Sequence, residues 1–386
     1  MTGMPDAAVL PVPRYGEAAL ADVLPSVLAS LGLPGEPNPL ALPDTARTVV
    51  LLVDGMGWEG LGRHPDCAPF LGSLRGRPLT AGFPATTATS LASLGTGLPP
   101  GGHGVTGYSS YVEQVGRVVN WLAWRPVGSG EDLRDRLVPE AVQDRPTAFE
   151  RAAAAGVSVT VAAPAHFDGS GLTRAVLRGG RYDGVVTLGD TVARVAVAAD
   201  RGNRSLVYCY TGDLDLIGHV RGADTPAWRE QLRLVDGFAE RLAASLPPDA
   251  TLLVTADHGM VTVPDEAKVD FDSSRALSDG VAELAGEARA RHVHVRPGAA
   301  ADVLAAWAAE LGDDWWVLTR DEVVEAGLLG PQVSSAARQR TGDVVAIARG
   351  TGAVVRRRVE SRLSALPGQH GALTDDELLV PLLTTG

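Results

Sequence analysis

Three mostly apolar runs of the chain share one form, because each leads directly into a turn that contains aspartate. They are residues 48–53, 205–210 and 251–255, and the turns that follow read DGMG, TGDLD and ADHG. Continuous apolar runs of this length are typical of strands that are buried on both faces of a parallel sheet. Residues 157–162 and 184–188 are weaker strand candidates.

Helical patterns separate these runs. Residues 147–155, 191–200 and 226–246 carry apolar side chains at helical spacing. In the third segment these side chains are Leu232, Val235, Phe238, Leu242 and Leu246. Alternating strands and helices predict an α/β fold, a three-layer sandwich with a mostly parallel central sheet. Ligands bind such sheets at the carboxyl ends of the strands, so we expect the three aspartate turns to lie together.

Shifts in composition divide the chain into four predicted segments. Residues 1–45 form an N-terminal arm, with a helix over residues 18–31 that Pro25 breaks or kinks. Residues 46–264 form the first part of an α/β catalytic core, and residues 367–386 return to that core.

The fourth segment, residues 265–366, differs in pattern and predicts a small, cap-like α+β insertion. It holds a short strand at 291–295 and an alanine-rich helix at 299–311. A strand pair is expected at 342–348 and 353–358, around the turn GTG.

The composition is that of an ordinary globular protein. Of 386 residues, 45% are hydrophobic and 21% charged, which excludes a disordered, coiled-coil or collagen-like chain. Thirty-four basic and 46 acidic residues give a net charge of −12. This balance argues against a nucleic-acid-binding protein, which usually has a basic surface. It remains compatible with a phosphate ester substrate, since a bound metal ion supplies local positive charge.

The sequence predicts a cytoplasmic protein. Its two cysteines, Cys67 and Cys209, cannot build a disulfide framework. The first residues lack the basic and apolar regions of a signal peptide, and no run of 18 apolar residues suggests a membrane-spanning helix. The sequence leaves the oligomeric state open.

Metal-binding residue types cluster after the three strands. The candidates are Asp54, Asp213, Asp215, His219, Asp257 and His258, together with His370 in the later motif PGQHG. Carboxylate oxygen and imidazole nitrogen bind zinc or manganese. Asp215 and His219 are four positions apart, so on a helix they share a face. Each motif alone also fits a turn, a solvated helix face or a loop. Their joint position at one sheet edge favours a metal site.

The segment 82–97, GFPATTATSLASLGTG, supplies a candidate nucleophile. It contains four threonines and two serines around a short apolar helix. A threonine at the start of that helix lies beside amide donors that favour anions. A nearby metal ion would make its hydroxyl nucleophilic. The simpler interpretation is an N-cap with a polar first turn.

Five motifs in order resemble those of the alkaline phosphatase superfamily, and most closely its nucleotide pyrophosphatase/phosphodiesterase branch. They read VVLLVDGMG, FPATTATSLASLGTGLPPGGHGVTGY, DLDLIGH, TADHGM and PGQHGALTDDELLVPLL. The resemblance implies an α/β sandwich with two divalent metal ions, usually zinc, although oxygen and nitrogen ligands also suit manganese. The substrate would be a small phosphate ester or a nucleotide.

The resemblance also implies a role for individual residues. One metal ion would be held by Asp54, Thr87, Asp257 and His258, and the other by Asp215, His219 and His370. Asp213 matches no ligand of the family. The nucleophile of the branch lies ten residues before the glycine of the T-G pair, which is Thr87 here, with Thr86 as the alternative. The implied reaction is in-line displacement at phosphorus through a phosphothreonine.

One departure from the family pattern leaves the preferred substrate open. The branch usually has an asparagine after its H-G motif, where HGVTGYSS offers Tyr108 as a substrate-binding residue instead. A phosphomonoesterase or phosphonate hydrolase of the same superfamily is therefore an alternative. A non-catalytic metal- or ligand-binding relative is a second one, against which the complete set of candidate ligands argues. A dinucleotide-binding fold is disfavoured by the aspartate at the strand end.

Overall fold

The computed structural model describes residues 10–385, so the first nine residues of the predicted N-terminal arm lie outside the described part of the chain. The strands are β1 (Arg47–Val53), β2 (Arg75–Thr80), β3 (Ser109–Val112), β4 (Arg117–Asn120), β5 (Arg125–Pro126), β6 (Ser158–Pro164), β7 (Arg181–Val185), β8 (Ser205–Thr211), β9 (Ala250–Thr255), β10 (Val261–Thr262), β11 (Lys268–Asp270), β12 (Val281–Glu287), β13 (Ala290–Val295), β14 (Trp315–Thr319), β15 (Val344–Ala348), β16 (Ala353–Val355), β17 (Gly368–Gln369) and β18 (Leu379–Thr384).

The helices alternate with these strands through much of the chain. They are α1 (Val23–Ser30), α2 (Trp58–Arg63), α3 (Pro69–Ser73), α4 (Thr87–Thr96), α5 (Pro100–His103), α6 (Pro139–Val142), α7 (Ala148–Ala154), α8 (Gly171–Val176), α9 (Leu188–Ala199), α10 (Asp213–Arg221), α11 (Pro226–Ser245), α12 (Arg275–Ser278), α13 (Ala300–Leu311), α14 (Arg320–Glu325), α15 (Ser335–Arg340), α16 (Ser361–Ala365) and α17 (Asp375–Leu378).

The centre of the molecule is a seven-stranded sheet in the order β2-β18-β9-β1-β8-β6-β7. β9, β1, β8, β6 and β7 pair in parallel, whereas β18 runs antiparallel to both of its neighbours. The predicted mixed α/β fold with a mostly parallel sheet is therefore confirmed. Side chains of a strand alternate between faces, and six consecutive residues of β1 are buried, so both faces of the sheet are covered.

Most of the helices and strands predicted for the core are found within one to three residues of their expected ends. The buried positions of α11 include Leu232, Val235, Phe238 and Leu242, as the helical spacing predicts. Leu246 is the residue at which this helix stops. No helix within residues 10–385 is both long and apolar enough to cross a lipid bilayer.

Two local predictions are wrong. Pro25 neither breaks nor kinks a helix, because α1 begins at Val23 and Pro25 lies in its first turn, where an amide has no helical partner to lose. The strand expected at residues 184–188 ends at Val185. Thr187 instead caps α9, since its side chain accepts a hydrogen bond from the Asp190 amide.

A second sheet lies within residues 265–366 and has the order β12-β13-β15-β14. The strand pair expected around GTG is wrong, since β15 pairs with β13 and β14, and β16 pairs in parallel with β11. All five residues of β15 are buried, which suits a strand with partners on both sides. The apolar core is continuous between the two sheets.

Candidate active site

The three strands that lead into acidic turns lie side by side in the order β9-β1-β8, and all three run parallel. Their carboxyl ends therefore meet at one edge. Asp54 directly follows β1, while Asp257 and His258 come just after β9. Asp215 and His219 share a face of α10, which follows β8. These five side chains thus converge because of the topology.

Two further segments complete the site. His370 directly follows β17, which pairs with β10 just beyond the Asp257 turn. Thr87 is the first residue of α4. Asp213 also lies on α10, but it is exposed to solvent and outside the cluster.

Glycines allow the turns to pack this closely. Gly55 has a φ of +73°, and a Cβ added there would lie 2.9 Å from the Asp215 Cα. A Cβ on Gly259 would collide with the backbone carbonyl of Asp376 and with Gly57. The glycine of ADHG thus lets the turn with Asp257 and His258 rest directly on neighbouring backbone.

All three histidines present Nε2 to the cluster. Nδ1 of His219 lies 2.8 Å from the Gly368 carbonyl, Nδ1 of His258 lies 2.9 Å from the Gly259 carbonyl, and Nδ1 of His370 lies 2.9 Å from the Ala85 carbonyl. A carbonyl oxygen only accepts, so each Nδ1 carries the hydrogen, and a neutral ring of this tautomer has its Nε2 lone pair directed at the cluster. Backbone hydrogen bonds of this kind orient metal-binding histidines.

The carboxylates around these rings have inner oxygens that are buried and lack hydrogen-bond partners. Oδ1 of Asp54, Oδ1 of Asp215 and Oδ2 of Asp257 have none among the described residues. Nε2 of His258 lies 3.5 Å from Asp54 Oδ1 and 3.6 Å from Asp257 Oδ2. Buried charge without a partner is costly, so this arrangement calls for a cation.

Two triads of ligand atoms are close enough to share an ion. One consists of Asp215, His219 and His370, and the other of Asp54, Asp215 and His258. The first is the set that the resemblance assigns to one metal ion. The second includes Asp215 where the resemblance assigns Asp257, so Asp215 lies close to both positions.

The electrostatics of the cluster fit the same need for a cation. Burial, with the charge of Asp54, raises the pKa of Asp215 to about 7. Burial, with the charge of Asp215, raises the pKa of Asp257 to about 7. Asp54 has its pKa raised well above the usual range by burial and by Asp257. Burial lowers the pKa of His258 to about 4, so this ring is neutral at pH 7. Bound divalent ions would stabilise all three carboxylates in their charged form.

The two candidate threonines differ in exposure and contacts. Oγ1 of Thr87 lies 3.1 Å from Nε2 of His258. Since that Nε2 accepts, the Thr87 hydroxyl donates and its oxygen lone pairs face the cavity. Thr86 precedes the helix and is only 1% exposed. Both threonines border the larger cavity, and Thr87 is the more exposed of the two.

Tyr108, the candidate substrate-binding residue, lines the same cavity as Thr87. Its hydroxyl accepts a hydrogen bond from the Asn120 amide. Burial raises the Tyr108 pKa to about 12, so the phenol keeps its hydrogen and can donate it.

Two residues of the site escaped the sequence analysis. The Tyr210 hydroxyl donates to Asp54 Oδ2 at 2.5 Å and orients that carboxylate. It is the last tyrosine of the run SLVYCY, and its place near a strand end was the available signal. Glu287, at the end of β12, lines the cavity beside Thr87 and His370. No motif marks it.

Two cavities meet at Thr87. One has a volume of about 300 Å³ and reaches from Thr87 to Glu287 and Arg291. The other has a volume of about 190 Å³ and is lined by Phe167, Tyr210 and several leucines. Thr87, Asp215 and Leu122 border both. A group that reacts at Thr87 thus has two separate spaces beside it.

Comparisons with known proteins indicate a single family. A family model described as type I phosphodiesterase / nucleotide pyrophosphatase matches residues 48–373. Murine ectonucleotide pyrophosphatase/phosphodiesterase 5 has a similar structure, with a TM-score of 0.68 and 18% identity over 87% of each chain. A structure of that murine protein described as an inactive threonine-to-alanine variant in complex with AMP gives a TM-score of 0.68 at 17% identity, again over 87% of each chain.

The human counterpart gives a TM-score of 0.65 at 17% identity over 87% of each chain. At these identities the structural likeness concerns the fold alone. A search among curated proteins finds no match to this sequence.

Proposed function

The chain belongs to the type I phosphodiesterase / nucleotide pyrophosphatase family of phosphoric ester hydrolases, and from this membership we propose that it cleaves small phosphodiesters or nucleotides with Thr87 as nucleophile and two divalent metal ions as cofactors. The observation that carries the proposal is the convergence of three unpartnered carboxylate oxygens and three Nε2 atoms beside the Thr87 hydroxyl. An inactive threonine-to-alanine variant of the murine neighbour, crystallised with AMP, is in keeping with both nucleophile and substrate.

The donor set fits the two ions. Asp54, Thr87, Asp257 and His258 would hold one, and Asp215, His219 and His370 the other, with Asp215 near both. Oxygen and nitrogen donors of this kind suit zinc, the preferred assignment, and also manganese. When bound, such a pair supplies Lewis-acid charge that makes a hydroxyl nucleophilic and stabilises a departing oxygen.

The chain's own groups set up the displacement. Thr87 Oγ1 attacks phosphorus as its hydroxyl proton passes to solvent, the bond from phosphorus to the leaving oxygen breaks, and that oxygen takes up a proton from solvent. The amides in the first turn of α4 have no helical acceptor and face an anion held there. Water then attacks phosphorus, releases the second product and returns the hydroxyl to Thr87.

A diester is favoured over a monoester because the site has two spaces. The cavities on either side of Thr87 provide room for two organic groups on one phosphorus. A monoester would fill only one of them. The alternative is a phosphomonoesterase or phosphonate hydrolase with the same ligands.

Parallel hydrolysis of bis(p-nitrophenyl) phosphate and p-nitrophenyl phosphate tests the proposal. The protein's zinc and manganese contents are measured first, and each ester is then assayed with and without added metal. We expect two ions per chain, faster cleavage of the diester, and loss of activity in Asp215→Asn but not in Asp213→Asn. The second variant is a matched control, because Asp213 is exposed on the same helix.

Other outcomes separate the alternatives. Faster cleavage of the monoester would favour a phosphatase. Two bound ions without turnover of either ester would favour a non-catalytic relative. A chain that binds no metal would contradict the proposal.

A further inference from the structure

A buried carboxylate beside the larger cavity has one oxygen without a hydrogen-bond partner. Glu287 is 9% exposed, and its Oε2 accepts a hydrogen bond from the Tyr108 amide at 2.9 Å. Its Oε1 is buried and has no hydrogen bond of normal geometry among the described residues. The Thr86 hydroxyl is near enough to lower the pKa of this carboxyl somewhat, but burial dominates and raises that pKa to about 8. The protein therefore leaves one acceptor unsatisfied beside the reacting hydroxyl.

The carboxylate is held in place from three directions. The Tyr108 amide fixes one oxygen. The backbone at Gly371, next to His370, approaches so closely that a Cβ there would collide with the Glu287 side chain. Two residues further along, Arg289 forms a buried, bidentate ion pair with Glu377, which fixes the turn after β12. A group held this firmly loses little freedom when it binds a ligand.

The nearest cation does not satisfy Glu287. Arg291 donates from Nη2 to Glu360 Oε2 at 2.8 Å and from Nε to the Val354 carbonyl at 2.8 Å. Its Nη1 points to the Gly286 carbonyl at 3.4 Å. Since Glu360 neutralises Arg291 and each nitrogen of the arginine already donates to another group, this wall of the cavity presents an unpaired acceptor. This wall would attract a hydrogen-bond donor, and an ammonium group above all, because a positive charge there stabilises the ionised form of Glu287.

We propose that Glu287 determines which phosphodiesters are preferred. Its free oxygen accepts a hydrogen bond from an ammonium or a hydroxyl group on one of the two alcohols that are esterified to the phosphate. This inference rests on the proposed function, because it concerns one arm of the phosphodiester cleaved at Thr87. The other arm would occupy the cavity lined by Phe167 and Tyr210, which suits an aromatic group. Glu287 acts on binding, and no proton transfer is assigned to it.

Three mixed phosphodiesters of p-nitrophenol test this. Their second ester substituent is a 2-aminoethyl, a propyl or a 2-carboxyethyl group. The charge and the hydrogen-bond donors of this substituent therefore change while its size stays similar. The aromatic group is meant for the cavity lined by Phe167 and Tyr210, and its release as p-nitrophenol reports turnover. Metal-loaded wild type, Glu287→Gln and Glu283→Gln are compared by kcat/KM for each ester. Glu283 is the matched control, because it lies on the same strand outside the cavity.

We expect wild type to prefer the aminoethyl over the propyl ester by about tenfold to a hundredfold, the range of a hydrogen bond between charged groups. The carboxyethyl ester should be the poorest of the three. In Glu287→Gln the preference for the aminoethyl ester should fall by about tenfold, whereas Glu283→Gln should keep the wild-type ratios. Ratios within one variant cancel any general loss of activity.

Equal kcat/KM for the aminoethyl and propyl esters in wild type would overturn the role of Glu287. An unchanged ratio in Glu287→Gln would do the same. If that variant does not fold, inhibition of wild type by 2-aminoethyl phosphate and propyl phosphate replaces it, and equal inhibition overturns the inference. If the metal-loaded protein hydrolysed none of the three esters, this result would instead contradict the proposed function.

Discussion

At the scale of single residues, the site is defined by which atoms are left without partners. Nδ1 of each of the three histidines donates to a backbone carbonyl, and the inner oxygens of the three carboxylates have no hydrogen-bond partner among the described residues. Thr87 faces these atoms, whereas Thr86 is buried at the helix start. The family resemblance left these two threonines as alternatives, and exposure favours Thr87.

Without metal ions, the closely spaced carboxylates of the site destabilise the folded protein. Asp257 has a folded-state pKa of about 7, raised from 3.8 by burial and by Asp215. Below pH 4 it is protonated in both states and has no such effect. As the pH rises from 4 to 7 it ionises first in the unfolded chain, so the metal-free fold loses stability across this window.

Asp257→Asn removes this penalty. Without metal, we expect the variant to be more stable than wild type at pH 8 by roughly 1–4 kcal/mol, with the difference vanishing below pH 4. Chemical denaturation at a series of pH values, in the presence of a chelator, measures it. Asp213→Asn, at an exposed position, should show little change. A wild-type advantage at pH 8 in the metal-free state would contradict the assignment.

At the scale of elements, one ion pair joins the second sheet to the metal-site turns. Arg289, between β12 and β13, donates to both oxygens of Glu377 at 2.8 and 2.7 Å, and neither side chain is exposed. The Glu377 carbonyl accepts from Gly259, beside His258. The hairpin that carries Glu287 is thus tied to the loop that carries two candidate ligands.

Arg289→Ala should lower the free energy of unfolding by about 3–5 kcal/mol, because it leaves a buried carboxylate unpaired. Urea denaturation measures the loss. Arg357→Ala is a matched control at an exposed arginine and should change stability by less than about 0.5 kcal/mol. If Arg289→Ala and Arg357→Ala lowered the free energy of unfolding equally, the ion pair between Arg289 and Glu377 would not have the stabilising role described here.

The elements also show what sequence pattern can and cannot predict. Strands buried on both faces are continuous apolar runs, so β1, β8 and β9 and the acidic turns after them were predictable. The pairing of β15 and β16 was not, because a short turn such as GTG suggests a hairpin while burial decides the partners. The predicted break at Pro25 was wrong for a similar reason. The effect of a proline depends on where the helix begins, which the sequence pattern does not define.

At the scale of the whole molecule, the predictable part of the site is the part carried by local motifs. The metal-binding candidates sit in short motifs at strand ends, and the parallel sheet brings those ends together. Glu287 was not predictable, because it meets the Tyr108 amide across 179 positions of sequence. Contacts between the second sheet and the core follow from tertiary packing, which one sequence without an alignment does not reveal.

The central claim is that Thr87 attacks phosphorus within a metal-binding cluster, and one measurement tests it directly. Metal-loaded protein is quenched with acid during turnover of bis(p-nitrophenyl) phosphate, whose good leaving group favours accumulation of a covalent adduct. Mass spectrometry then locates the label on the peptide that contains Thr86 and Thr87. We predict a p-nitrophenyl phosphoryl group on Thr87, absent in Thr87→Ala and retained in Thr86→Ala. A label on Thr86, or release of p-nitrophenol without any label on this peptide, would contradict the account.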